Sequence, residues 1–198
     1  ANSNAHMERR AGMLAALGIV AMVADFYGEP VRDFAHAGEL AKVLRADPLA
    51  YRARLAAAIA ALRGHPAAQG LELAAIGYCM GGGAALEAAR SGEDLLAVVS
   101  FHGLLETPLP ARPGAIAARL LVCHGDADPM VPRDHVLAFW QEMDAAGAKW
   151  HFHAYSGVRH GFTDPESDAR GLAAIAYDAS ADRQSWAAMT SLFDEVFG

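Results

Sequence analysis

Two cysteines in 198 residues are too few for a disulfide framework, and they sit in unlike contexts. Cys79 lies among glycines, whereas Cys123 sits inside the apolar run RLLVC and reads as core. That usage fits a reducing compartment, and the cytoplasm is the expected location. Positive charge is also scarce: the formal net charge is -7 and no Lys/Arg cluster stands out, so no nucleic-acid partner is expected. Long apolar runs are missing as well. Residues 8–24, ERRAGMLAALGIVAMVA, have the basic and then apolar order of a signal peptide. Their apolar part falls short of the roughly 18 residues a membrane span needs, and Gly18-Ile19 reads as a helix stop followed by a strand start. No membrane partner is expected. No internal repeat, low-complexity tract or interdomain linker breaks the chain. With 54% hydrophobic and 20% charged residues, residues 1–198 are expected to form a single globular domain.

What the chain does have is alternation. Met7 to Leu17 suits a helix, and Ile19 to Ala24 is a continuous apolar run of the kind found in a strand covered on both faces. Asp33 to Ala46 reads as a helix, and Asp47-Pro48 as the N-cap and first position of another that ends near Gly64. Leu71 to Ile76, Leu95 to Phe101, Arg119 to His124 and Lys149 to Tyr155 follow as strands. Helices are expected from Met80 to Arg90, from Pro132 to Gly147 and from Ala181 to Phe197. Five buried-type strands separated by helices predict an α/β fold: a mostly parallel sheet with helices on both faces. In such sheets ligands bind beyond the carboxyl ends of the strands.

Reading only those ends yields Asp25, Cys79, His102, Asp126, Asp128 and His160. The segment LELAAIGYCMGGGAA places Gly77-x-Cys79-x-Gly81 between a strand and a helix. A chain reversing within about two residues leaves no room for Cβ atoms around the tip, so the apical side chain is thrust outward in a strained conformation. A thiol there also lies at a helix N-terminus, which favours thiolate. It needs a base, and the base needs an acceptor to hold its tautomer. Cys79, an aspartate and His160 supply these in the chain order of α/β-hydrolases. Asp128 is preferred over Asp126, which reads as a turn or cap residue. His160, flanked by Gly157 and Gly161, is expected on a mobile loop. A neutral His160 predicts activity that falls as pH drops through the histidine range.

GYCMGG, HGDADPMVP and YSGVRHGF, in that order, resemble the dienelactone hydrolase family of α/β-hydrolases. The resemblance runs from DFYGE at 25–29 through VVSFHG at 98–103 to YDASADRQSW at 177–186. It implies a carboxylic-ester hydrolase of carboxymethylenebutenolidase type, acting on a small ester or lactone through a thioester on Cys79. His160 would be base and then acid, Asp128 its orienter, and the backbone N–H of Met80 an oxyanion donor. Members of the family carry three further N-terminal strands, with a second donor after the third. Neither can be assigned here, so the chain is expected to be incomplete at its N-terminus.

Tyr78 and Met80 flank the nucleophile and are expected to line the pocket. His102 is a candidate substrate contact. Arg159 is a candidate for an anionic substrate group, although a solvent-facing arginine is the plainer reading. His151 and His153 share one face of a strand, but without a third ligand no metal is expected, and no cofactor either. Trp140, Trp150 and Trp186 read as packing residues. Oligomeric state stays open, with a dimer as one option. Two other functions use the same cysteine. A glutamine amidotransferase would carry Glu two residues after its histidine, where Phe162 stands. A non-catalytic relative, such as a binding module or thiol redox sensor, would need no Asp128.

Overall fold

The computed structural model describes residues 4–198 and divides into two compact units, residues 1–71 and 72–198. In the first unit three helices each start on a side-chain cap. Asn4 accepts the Met7 N–H ahead of α1 (Ala5–Ala16), Asp33 accepts that of His36 ahead of α2 (Phe34–Ala46), and Asp47 accepts that of Ala50 ahead of α3 (Pro48–Arg63). Proline at the first position of α3 costs nothing, because that N–H has no helical partner in any case. Arg54 of α3 donates to the carbonyls of Phe26 and Tyr27 at 3.2 and 2.6 Å, holding the DFYGE loop.

One expectation fails in this unit. Ile19 to Ala24 forms no strand, and Val20, Met22 and Val23 are exposed. A strand exists through the ladder it shares with a neighbour, and this run has no ladder among the described residues. Apolar composition reports a tendency to be buried. It does not supply a hydrogen-bonding partner.

The second unit carries the sheet, which has four strands where five were expected. β1 (Ala74–Tyr78), β2 (Ala97–Phe101), β3 (Arg119–Gly125) and β4 (Lys149–Tyr155) are all parallel and ordered β1-β2-β3-β4. Every residue of β2 is buried, so both faces of the sheet are covered. α4 (Met80–Arg90) packs across β1 and β2, and α6 (Ala179–Phe197) across β2 and β3. α5 (Arg133–Ala146) lays Phe139 and Trp140 against Phe152 of β4, and Trp140 stacks on Trp150. His151 and His153 lie exposed on β4, an edge strand. Among the described residues no helix is long and apolar enough to cross a membrane.

A buried cation ties these layers to the loop after β2. Arg90, at the end of α4, forks onto Glu142 of α5 at 2.9 and 2.7 Å and reaches Glu87 at 3.0 Å and the Leu105 carbonyl at 2.7 Å. Planar guanidinium suits this role, because its five donors meet several acceptors without leaving charge unpaired. Glu142 also accepts the Ala111 N–H. The long loop over residues 102–118 is thereby pinned at two points.

Register then aligns the carboxyl ends. Tyr78 pairs with Phe101, Phe101 with Cys123, and Gly125 with Tyr155. Cys79, His102, Asp128 and His160 all follow within a few residues of that common edge.

Candidate active site

The turn from β1 into α4 is built by missing side chains. A Cβ on Gly77 would lie 1.9 Å from the carbonyl oxygen of Gly81, so the strand passes against the first helical turn only as glycine. Cys79 at the apex has φ 54 and ψ -120, outside ordinary L-residue conformations. Cys79 is half-buried as a residue and stands at the start of α4, where the helix dipole favours negative charge.

Asp128 is set by the turn after β3. Its own N–H donates to the Gly125 carbonyl and its Oδ1 accepts the Met130 N–H at 2.8 Å, leaving Oδ2 free to face inward. His160 comes from the segment after β4, which passes so close to β3 that a Cβ on Gly125 would sit 2.5 Å from the Val158 carbonyl oxygen. Within the segment expected to be a mobile loop, a backbone bridge engages His160: its N–H donates to the Ala174 carbonyl and its own carbonyl accepts from the Ala176 N–H. Ser167 further fastens the Gly161 carbonyl at 2.7 Å.

These three side chains converge. His160 Nε2 lies 3.0 Å from Cys79 Sγ and its Nδ1 lies 2.7 Å from Asp128 Oδ2, with His160 and Asp128 each 2% exposed. Asp126, the other aspartate of HGDADPMVP, instead pairs with Arg133 through both oxygens, at 3.0 and 2.6 Å.

Electrostatics divides the two sulfurs. Burial pushes the Cys79 thiol up, but the hydrogen bond and charge of His160, together with the Met80 N–H, outweigh it, and its pKa falls below the usual 9.0. Burial alone would lower the His160 pKa, yet hydrogen bonds to Asp128 and Cys79 raise it well above 6.5. Both shifts favour the thiolate–imidazolium form of the pair over the neutral one. The sequence expectation of a neutral His160 took no account of these two partners, each of which favours the protonated ring. Cys123 differs: burial pushes it up to about 12. Alkylation by iodoacetamide should accordingly titrate with a midpoint below 9.0 and label Cys79 alone. A midpoint at or above 9.0 would contradict the ion pair.

The flanking residues fall into different places. Met80 is buried, and its backbone N–H reaches the sulfur. Tyr78 is buried, stacked on Phe101 at 4.6 Å between ring centroids. Arg159 is exposed and donates to the Ala173 carbonyl at 2.7 Å. His102 is 3% exposed, with both ring nitrogens engaged: Nδ1 lies 3.1 Å from the Cys79 backbone N, and Nε2 lies 2.9 Å from Thr163 Oγ1. Sequence reasoning missed Thr163 altogether, since nothing in GFTD marks that hydroxyl as a partner of a ring 61 residues away.

Comparisons with known proteins bear on the family and the fold. The family model described as "Dienelactone hydrolase family" matches residues 2–197. An uncharacterized protein of Caenorhabditis elegans is 39% identical over 147 residues, spanning 73% of this chain and 92% of that protein. Among solved structures, a dienelactone hydrolase-like promiscuous phosphotriesterase from metagenomic libraries has 39% identity and a TM-score of 0.92, covering 98% of this chain and 82% of its own. A structure named m3DLH has 42% identity and a TM-score of 0.93 with the same coverages.

Proposed function

The chain belongs to the dienelactone hydrolase family and is a hydrolase; from that premise we propose that it cleaves small carboxylic esters or lactones, as a carboxymethylenebutenolidase-type enzyme, through a thioester on Cys79. One observation carries the reading. Sulfur, imidazole and carboxylate stand in hydrogen-bonding succession, at 3.0 and 2.7 Å, at the carboxyl edge of a parallel sheet.

The steps follow from the charges. Thiolate attacks the acyl carbon, an S–C bond forms, and the carbonyl π pair moves to oxygen, where the Met80 N–H is the available donor. Collapse breaks the C–O bond, and the departing alkoxide takes the Nε2 proton of His160. The ring, now neutral, removes a proton from water as the oxygen adds to the thioester. A second collapse releases the carboxylic acid and restores thiolate and imidazolium. Asp128 stays ionised throughout and stabilises the charged ring. A thiolate nucleophile works best where reductants keep it free, so the cytoplasm is the proposed location.

A second substrate class has support from the 39% identical phosphotriesterase. There the same thiolate would attack phosphorus and leave a phosphorylated Cys79. Rapid mixing with p-nitrophenyl acetate and, separately, with a p-nitrophenyl dialkyl phosphate distinguishes them. Mass spectrometry should find one acetyl group on the peptide bearing Cys79, alongside steady turnover of esters and small lactones. A phosphoryl adduct with no ester turnover selects the second class. Absence of any adduct on Cys79 overturns the thioester route.

A further inference from the structure

We propose that His102 is a positioning residue for this site, a neutral imidazole bridging the backbone of the nucleophile to the segment that carries the base, with Thr163 as its anchor. The proposal rests on the Cys79 thioester reading and assigns what keeps that pair in register.

The strained backbone points to it. Among the described residues only two non-glycines have positive φ, Cys79 at 54 and His102 at 41. The first is explained by the turn into α4. The second is not a requirement of the sheet, because the His102 N–H still donates to the Cys123 carbonyl at 2.8 Å as if β2 continued. What the left-handed conformation achieves is the direction of the ring, turned back under the nucleophile. Positive φ is uncommon outside glycine, and here it aims the ring at the Cys79 backbone and Thr163.

Its hydrogen bonds define the tautomer. The Cys79 N–H is shared between the Phe101 carbonyl at 3.0 Å and His102 Nδ1 at 3.1 Å, so Nδ1 accepts. The proton then sits on Nε2, which donates to Thr163 Oγ1 at 2.9 Å. Thr163 is three residues beyond His160 and fully buried. The edge of the ring also meets His160 and Phe162, with centroids 5.1 Å away in each case. One rigid side chain thus spans the two segments whose separation sets the distance from Cys79 Sγ to His160 Nε2, and displacement of about 1 Å in such a pair costs on the order of a hundredfold in rate.

Kinetics of five variants test the bridge, with p-nitrophenyl acetate turnover, Cys79 alkylation by iodoacetamide and thermal melting measured on each. His102→Ala should lower kcat by about 10- to 100-fold with KM little changed, and should slow alkylation. His102→Asn suits the positive φ and restores an acceptor for the Cys79 N–H while falling short of Thr163, so it should recover only a small part of that loss. Thr163→Val should match it, Thr163→Ser should behave as wild type, and the His102→Asn/Thr163→Val pair should be no worse than either alone. Should His102→Ala fail to fold, the Thr163 pair still decides. Wild-type kcat and alkylation in folded His102→Ala or in Thr163→Val overturn the bridge, as does wild-type kcat in His102→Asn. A Cys79→Ala control separates the two levels: turnover surviving there sinks the thioester reading itself, whereas a dead control beside an active His102→Ala sinks only the bridge.

Discussion

Asp128→Asn is expected to lower kcat/KM by about ten-thousand-fold while leaving the protein folded. The asparagine carbonyl can keep the Met130 N–H that Oδ1 now accepts, so the turn after β3 survives. The amide nitrogen then replaces Oδ2, 2.7 Å from His160 Nδ1. Two donors cannot face each other, so Nδ1 must become an acceptor and the ring proton moves to Nε2. Neutral imidazole in that tautomer cannot take a proton from the thiol, and the imidazolium loses the charge that stabilised it. Cys79 alkylation at neutral pH should slow in parallel, while the melting temperature falls by only a few degrees for one weakened buried hydrogen bond. Near-normal turnover in this variant would transfer the role to another acid. Asp126 is a poor substitute, since both its oxygens are taken by Arg133, whose guanidinium holds that carboxyl below its usual range.

Gly77→Ala is expected to produce the largest loss of stability for a single added methyl group. The new Cβ would sit 1.9 Å from the Gly81 carbonyl oxygen and 2.6 Å from the Gly82 nitrogen. Those are backbone atoms in the first turn of α4, with no rotamer to change. Relief requires the strand and helix to separate, and α4 is held elsewhere by buried contacts along its length and by Arg90 at its far end. Overpacking against fixed atoms costs about 3 kcal/mol or more, which for a chain of this size lowers Tm by roughly 6–12 °C. Turnover should fall as well, because Cys79 can reach 3.0 Å from His160 only while the turn keeps its shape. A Tm within about a degree of wild type, with full activity, would show that the elbow tolerates a wider turn.

Much of this architecture was legible from local signals. Helix limits at Asp47 and Gly147 followed from capping chemistry, which acts over three or four residues. β4 over Lys149–Tyr155 was bounded by turns on both sides. Cys79, Asp128 and His160 stood out because strand ends in a parallel sheet share one edge, so three distant residues could be assigned to one place without coordinates. Ile19 to Ala24 shows the limit: its composition suited a strand, but a strand needs a neighbour, and neighbours are long-range facts.

What the sequence settled alone was the order of strands and long helices from β1 onward and which residues follow those strands, because periodicity, caps and glycine spacing are properties of short stretches. Only the tertiary structure decided which aspartate faces the ring, that Asp128 and Cys79 both raise the pKa of His160, that its segment is fastened to residues 174–176, and that His102 turns back to join Cys79 to Thr163. Each of those depends on distances between groups far apart along the chain, and charge states and hydrogen bonds follow distance.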